Sequence, residues 1–206
     1  AKIDMKANTV VTSSMIAKSD EKTTNDLRIQ EYNMLRLSSQ IAAEDYIDIR
    51  FRMPSGEDYI VVSKKKVEIP QIDGVDSATT IWLQLTEDEI LTMSNAIVEN
   101  YMIEGSVLYT AKYVEPGTQE KATPTYVPSE AVQNLLRNND SNILNTAKLA
   151  LLTRYQGNSD VRNNINNTKN SIDPDDVATN ISTGVKQEVS TAQEQRQDYL
   201  DALSGN

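Results

Sequence analysis

The chain has no cysteine and no histidine, and these two absences remove more chemistry than anything present adds. Without cysteine there is no disulfide, no thiol nucleophile and no structural zinc site of the usual kind. Without histidine the usual general base near neutral pH and the commonest transition-metal ligand are both missing. One tryptophan and one phenylalanine leave few flat surfaces on which a sugar or a base could stack. No run of eighteen apolar residues occurs, so no membrane-spanning helix is expected. Positive charge is scarce: 20 Lys and Arg stand against 30 Asp and Glu, for a net charge of -10. Such a surface repels phosphate backbones and anionic lipid, so neither nucleic acid nor a membrane is expected as partner. Gly-rich phosphate loops, nucleophile elbows and metal-spaced motifs are also absent from the sequence. The expectation is a non-enzymatic protein that needs no cofactor and no metal.

What is present changes character near Pro128. Before it, apolar residues alternate with polar ones, as in Tyr46-Ile47-Asp48-Ile49-Arg50-Phe51, the two-residue rhythm of a half-buried strand. After it, a tail rich in Asn, Gln and Ser spaces its apolar residues by three or four, the rhythm of helices. The 206 residues, 38% of them hydrophobic, allow one ordinary domain and an extension. We therefore expect an α+β chain in four parts. Residues 1–26 form an N-terminal arm, 27–115 an antiparallel β-sandwich that docks, 116–128 a linker, and 129–206 an extended helical, coiled-coil tail.

Within the β part, 46–52 and 59–62 read as a hairpin about the turn Pro54-Ser55-Gly56-Glu57. Its Ile47, Ile49, Phe51 and Met53 share the buried face. The segment from Leu27 to Ile41 fits strand or helix, and strands are preferred beside so clear a β neighbour. Residues 79–85 predict a strand with Trp82 on the face opposite Ile81, Leu83 and Leu85. Thr86 and Glu89 then form a capping box for a short helix, and Gly105 to Val114 is a further strand. Lys64-Lys65-Lys66 is expected to protect an exposed strand from unwanted pairing.

In the tail, Ser129 can cap a helix from Glu130 to Arg137, and a more apolar helix covers Ile143 to Tyr155 before Gly157-Asn158-Ser159 ends it. Asp173 and Pro174 make a strong helix start, with Asp175 and Asp176 complementing the dipole. That reading accounts for the three acids better than a Ca²⁺ loop, since the glycine and distal glutamate of an EF-hand are missing. From there Val177, Ile181, Val185, Val189, Ala192, Tyr199 and Leu203 recur at spacings of four, three or seven. A stripe so narrow is marginal alone in water and becomes credible as one strand of a coiled coil. The candidate oligomerisation residues are Ile143, Leu144, Ala147, Leu151, Val177, Ile181, Val185, Val189, Tyr199 and Leu203, in a homotrimer or homodimer. The pattern still runs near Asn206, leaving room for the natural polypeptide to continue. At the other end, Ala1-Lys2-Ile3-Asp4 has no apolar signal core and reads as a start that lost its initiator Met.

Three segments carry a resemblance. They are the hairpin Phe51-Arg52-Met53-Pro54-Ser55-Gly56-Glu57-Asp58-Tyr59, the run Ile81-Trp82-Leu83-Gln84-Leu85-Thr86-Glu87-Asp88-Glu89-Ile90-Leu91, and the strand Gly105-Ser106-Val107-Leu108-Tyr109-Thr110-Ala111. In pattern, residues 27–115 resemble the N-terminal part of the baseplate upper proteins of tailed phages that infect Gram-positive bacteria. The resemblance implies a small sandwich docked on the phage particle, and a helical linker that presents a fibre or receptor-binding protein. It implies other virion proteins as partners, a place in the virion, and synthesis in the host cytoplasm. A second reading, of another class, is a carbohydrate- or cell-surface-binding β-sandwich module with Trp82, Tyr59 and Tyr101 at its site.

Overall fold

A computed structural model describes residues 24–72, 75–138 and 145–204. The strands are β1 (Arg28–Tyr32), β2 (Tyr46–Arg52), β3 (Asp58–Glu68), β4 (Gln71–Ile72), β5 (Val75–Asp76), β6 (Ile81–Leu85) and β7 (Val107–Lys112). The helices are α1 (Glu87–Met102), α2 (Glu130–Arg137), α3 (Asn145–Gly157), α4 (Ser159–Asn170) and α5 (Pro174–Ser204). The fold is α+β. Five strands form one antiparallel sheet in the order β1-β6-β3-β2-β7, and β4 and β5 form a separate two-stranded ribbon. The expected sandwich is not confirmed: among the described residues a single large sheet carries helices, not a second large sheet.

The sheet is curled. β1 lies at one edge, yet Arg36, four residues beyond its end, forms a parallel bridge with Tyr109 of β7 at the other edge. Laid flat, five inter-strand steps would span roughly 24 Å. Four residues of chain reach at most about 14 Å. The two edges must therefore bend towards each other, and the concave side becomes the core.

Alternation decides which side chains fill it. Ile47, Ile49 and Phe51 of β2, Ile81, Leu83 and Leu85 of β6, and Leu108 of β7 are all buried. Trp82 and Gln84 face outwards, as the two-residue period requires. The lysine run differs from expectation. It lies in β3, a central strand flanked by β6 and β2. Lys65 pairs with Glu89 and Lys66 with Glu44. Lys64 adopts a left-handed backbone with φ 48° beside a register shift in the β2–β3 pairing. The buried Asp48 carboxylate accepts the Lys64 N–H at 2.9 Å, which supplies the partner that the interrupted ladder leaves missing.

The capping box at Thr86 and Glu89 forms as the spacing predicts, with the Thr86 N–H donating to Glu89 Oε2 at 3.0 Å. The helix it starts is not short: α1 runs 16 residues and lays Met93 and Ala96 into the sheet's core. Residues 116–128, expected as a linker, lead into buried chain at Tyr126 and Val127. The N–H groups of Thr125 and Tyr126 both donate to Ile60 O at 2.9 Å. The Tyr126 ring meets Phe51 edge to face, with centroids 5.8 Å apart.

Candidate functional site

The tail helices are fastened to the β part by a buried charge cluster on α1 and α4. Glu99 of α1 is 0% exposed. Its Oε2 accepts the Tyr126 hydroxyl at 2.7 Å, and its Oε1 faces Arg162 Nη2 of α4 at 2.8 Å and Lys169 Nζ at 3.5 Å. The Glu99–Arg162 contact is close but out of hydrogen-bond alignment, so charge rather than directional bonding holds it. Arg162, 5% exposed, also donates from Nη1 to Val127 O at 3.2 Å and from Nε to Asn166 Oδ1 at 3.0 Å. Burial beside the Glu99 carboxylate pushes the Tyr126 phenol well above its ordinary value, so it stays a proton donor. Ile165, one turn on from Arg162, is fully buried in the same core as the sheet.

A second small core lies where α2, α3 and the end of 122–128 meet, made by Val127, Leu136, Leu151 and Tyr155. Leu151, expected at a subunit contact, is thus used within the chain. Leu149, two residues before it, is 73% exposed. Ile143 and Leu144 lie outside the described residues, and Ala147 lies on α3 with its side chain outside them too.

α5 starts as expected at Pro174, with Asp173 Oδ1 accepting the Asp175 N–H at 2.9 Å. Its 31 residues make a rod of about 46 Å. It docks on α1, but through a seam of small and polar residues. A Cβ placed on Gly184 would lie 2.4 Å from the Tyr101 ring, so only glycine permits this approach. The Tyr101 hydroxyl donates to Glu188 Oε2 at 2.8 Å. Burial, then the Glu188 carboxylate, pushes the Tyr101 phenol upward. Farther along α5, Gln195 exchanges hydrogen bonds with Thr79 and Thr80 just before β6. Gly184, Glu188 and Thr191 also line a groove of about 380 Å³ with Asn33, Arg36 and Tyr101.

The apolar stripe read from the sequence therefore divides. Val177 and Ile181 are half-buried, whereas Val185 and Val189 are 45% and 49% exposed. Tyr199 and Leu203 lie on α5 with side chains outside the described residues. The docked seam of Gly184, Glu188, Thr191 and Gln195 keeps spacings of four, three and four. Counting apolar residues alone could not reveal it.

The residues of the alternative ligand site are not brought together. Trp82 faces outwards and donates from Nε1 to Glu31 Oε2 at 2.8 Å. Tyr59 points into the core and Tyr101 against α5. The buried cluster was missed by sequence reading, although Glu99 continues the spacing of Thr92, Met93 and Ala96, all buried on α1. Among the described residues no group of three or more acidic side chains could hold a metal ion, and no helix is long and apolar enough to cross a membrane. No family model, no curated protein and no solved structure matches the chain.

Proposed function

We propose that this chain is a non-enzymatic assembly protein that associates with copies of itself through the outward stripe of α5. The observation that carries the reading is Val185 and Val189, one turn apart and each about half exposed, on a helix of 31 residues. The opposite demand, docking on α1, is met by a different stripe, so the two contacts do not compete for the same side chains. Paired valines at this spacing suit the seam of a homodimeric or homotrimeric coiled coil.

Within that reading, the resemblance to baseplate upper proteins supports a more specific role as a phage virion adaptor at the tail tip, baseplate or fibre base. The curled sheet would dock on the particle and the helices would present a fibre or receptor-binding protein, with many copies turning weak contacts into avid attachment. Sedimentation of the chain over a micromolar concentration range tests the self-association. The expected result is a species of two or three chains. A sharp boundary at 23.0 kDa throughout would overturn it. The glycan-binding alternative has no comparable support, because Trp82, Tyr59 and Tyr101 share no surface.

A further inference from the structure

On a chain of net charge -10, acids are in excess and most cations along the sheet have found a partner. Arg50 meets Asp58 at 2.7 Å, Lys65 meets Glu89 at 2.5 Å, Lys112 meets Asp45 at 2.8 Å, and Lys66 pairs with Glu44. Lys64 donates to Gln119 O at 2.6 Å. Arg28 donates to the carbonyls of Asn25 and Leu27, whereas among the described residues the side chains of Arg36 and Arg52 meet neither a carboxylate nor a carbonyl. They line one cleft of about 280 Å³ together with Leu37, Ser38, Tyr109 and Thr110.

The cleft is built on fixed backbone. The Arg36 N–H donates to Leu108 O at 2.9 Å and Arg36 O accepts the Thr110 N–H at 3.2 Å, so the arginine is launched from the rim of the sheet. Arg52 lies with its guanidinium carbon 5.3 Å from the centre of the Tyr109 ring, a stacking that orients its fork. Tyr109 is itself held, its hydroxyl donating to Asp58 Oδ2 at 2.5 Å. Asp58 is thereby engaged on both oxygens, by Tyr109 and by Arg50, and does not neutralise the pair.

We propose that this cleft is an oxyanion-binding site in which Arg36 and Arg52 clamp a phosphate or carboxylate group beside Tyr109. Guanidinium forks match both groups, and the two sources of the shared chemistry are a free phosphate ion and the carboxylates of an acidic peptide. The site does not depend on the assembly reading, since neither Val185 nor Val189 lines the cleft.

The test is calorimetry on the full chain at low ionic strength with two probes, inorganic phosphate and a hexaglutamate peptide. At least one should bind more tightly than about 1 mM. That probe should weaken about tenfold or more in Arg36→Gln/Arg52→Gln and keep its affinity in Lys121→Gln, as a specific charge clamp requires. Both variants change exposed or half-buried side chains, and matching circular dichroism and urea midpoints establish that they fold. Phosphate binding alone identifies a small-ion site, and peptide binding identifies an acidic protein segment. Binding of neither probe, or equal binding by the double variant, would overturn the proposal.

Discussion

Glu99 sits where water cannot reach it, with a guanidinium, an ammonium and a phenol arranged around one carboxylate. Removing its charge strands Arg162 in the interior, so Glu99→Gln should cost about 3–5 kcal/mol in urea unfolding. Replacing both partners, as in Glu99→Leu with Arg162→Met, should recover part of that loss, because desolvation is then relieved for both. Tyr126→Phe removes only the hydroxyl and should cost about 1–3 kcal/mol. Asp45 behaves differently, being near the surface. The Lys112 ammonium bonded to it, helped by the Ala42 N–H, outweighs the desolvation and holds its carboxyl below the ordinary carboxylate value. A carboxyl depressed by folding stabilises above its unfolded value and loses that contribution as pH falls through the folded one. Asp45→Asn should therefore lower the urea midpoint at neutral pH, by an amount that shrinks as pH falls below the ordinary carboxylate range. Glu99 was hard to read in the sequence because a buried acid looks identical to a solvated one until its partners, 63 and 70 positions on, are known to be Arg162 and Lys169. Phe51 and Ile47 were easy because alternation is local.

At the scale of elements, the best-read segments were those whose signals are short-ranged. The extent of α2 from Glu130 to Arg137, the capping box of α1 and the outward Trp82 of β6 all follow from neighbours in sequence. α4 was not anticipated, although it is central to the fold. Its asparagines are indifferent helix formers, and Val161 and Ile165, spaced by four, are its main apolar signal. Ile165→Ala should nevertheless destabilise the whole molecule by about 2–5 kcal/mol in chemical denaturation, as for any aliphatic side chain deleted from a closed core. The α1–α5 junction has a sharper signature. Gly184→Ala forces the Tyr101 ring to move, and amide exchange should then quicken along α5 while the sheet stays protected. Gly157→Ala, with nothing within 4 Å of its added Cβ, should be neutral or stabilise by up to about 1 kcal/mol. Equal exchange in the Gly184→Ala and native proteins would show that the seam does not hold α5.

For the whole molecule, the sequence boundary at Pro128 marks a change of rhythm that the packing does not respect. Ile165 and Glu99 join the tail to the sheet's core, so ending the chain at Pro128 would expose that core and strand Glu99. Surface substitutions on α5 probe assembly without that damage. Curling of the sheet was likewise illegible, since it depends on one bridge between Arg36 and Tyr109 across 73 positions. The central claim is that α5 holds the molecule together with one stripe and recruits another copy with its neighbour. Light scattering of the native chain beside Val185→Asp/Val189→Asp tests it most directly. The account predicts two or three chains for the native protein and a folded 23.0 kDa monomer for the variant, with an unchanged urea midpoint measured at concentrations where both are dissociated. An unchanged oligomer in the variant, or a native monomer at every concentration, would contradict it.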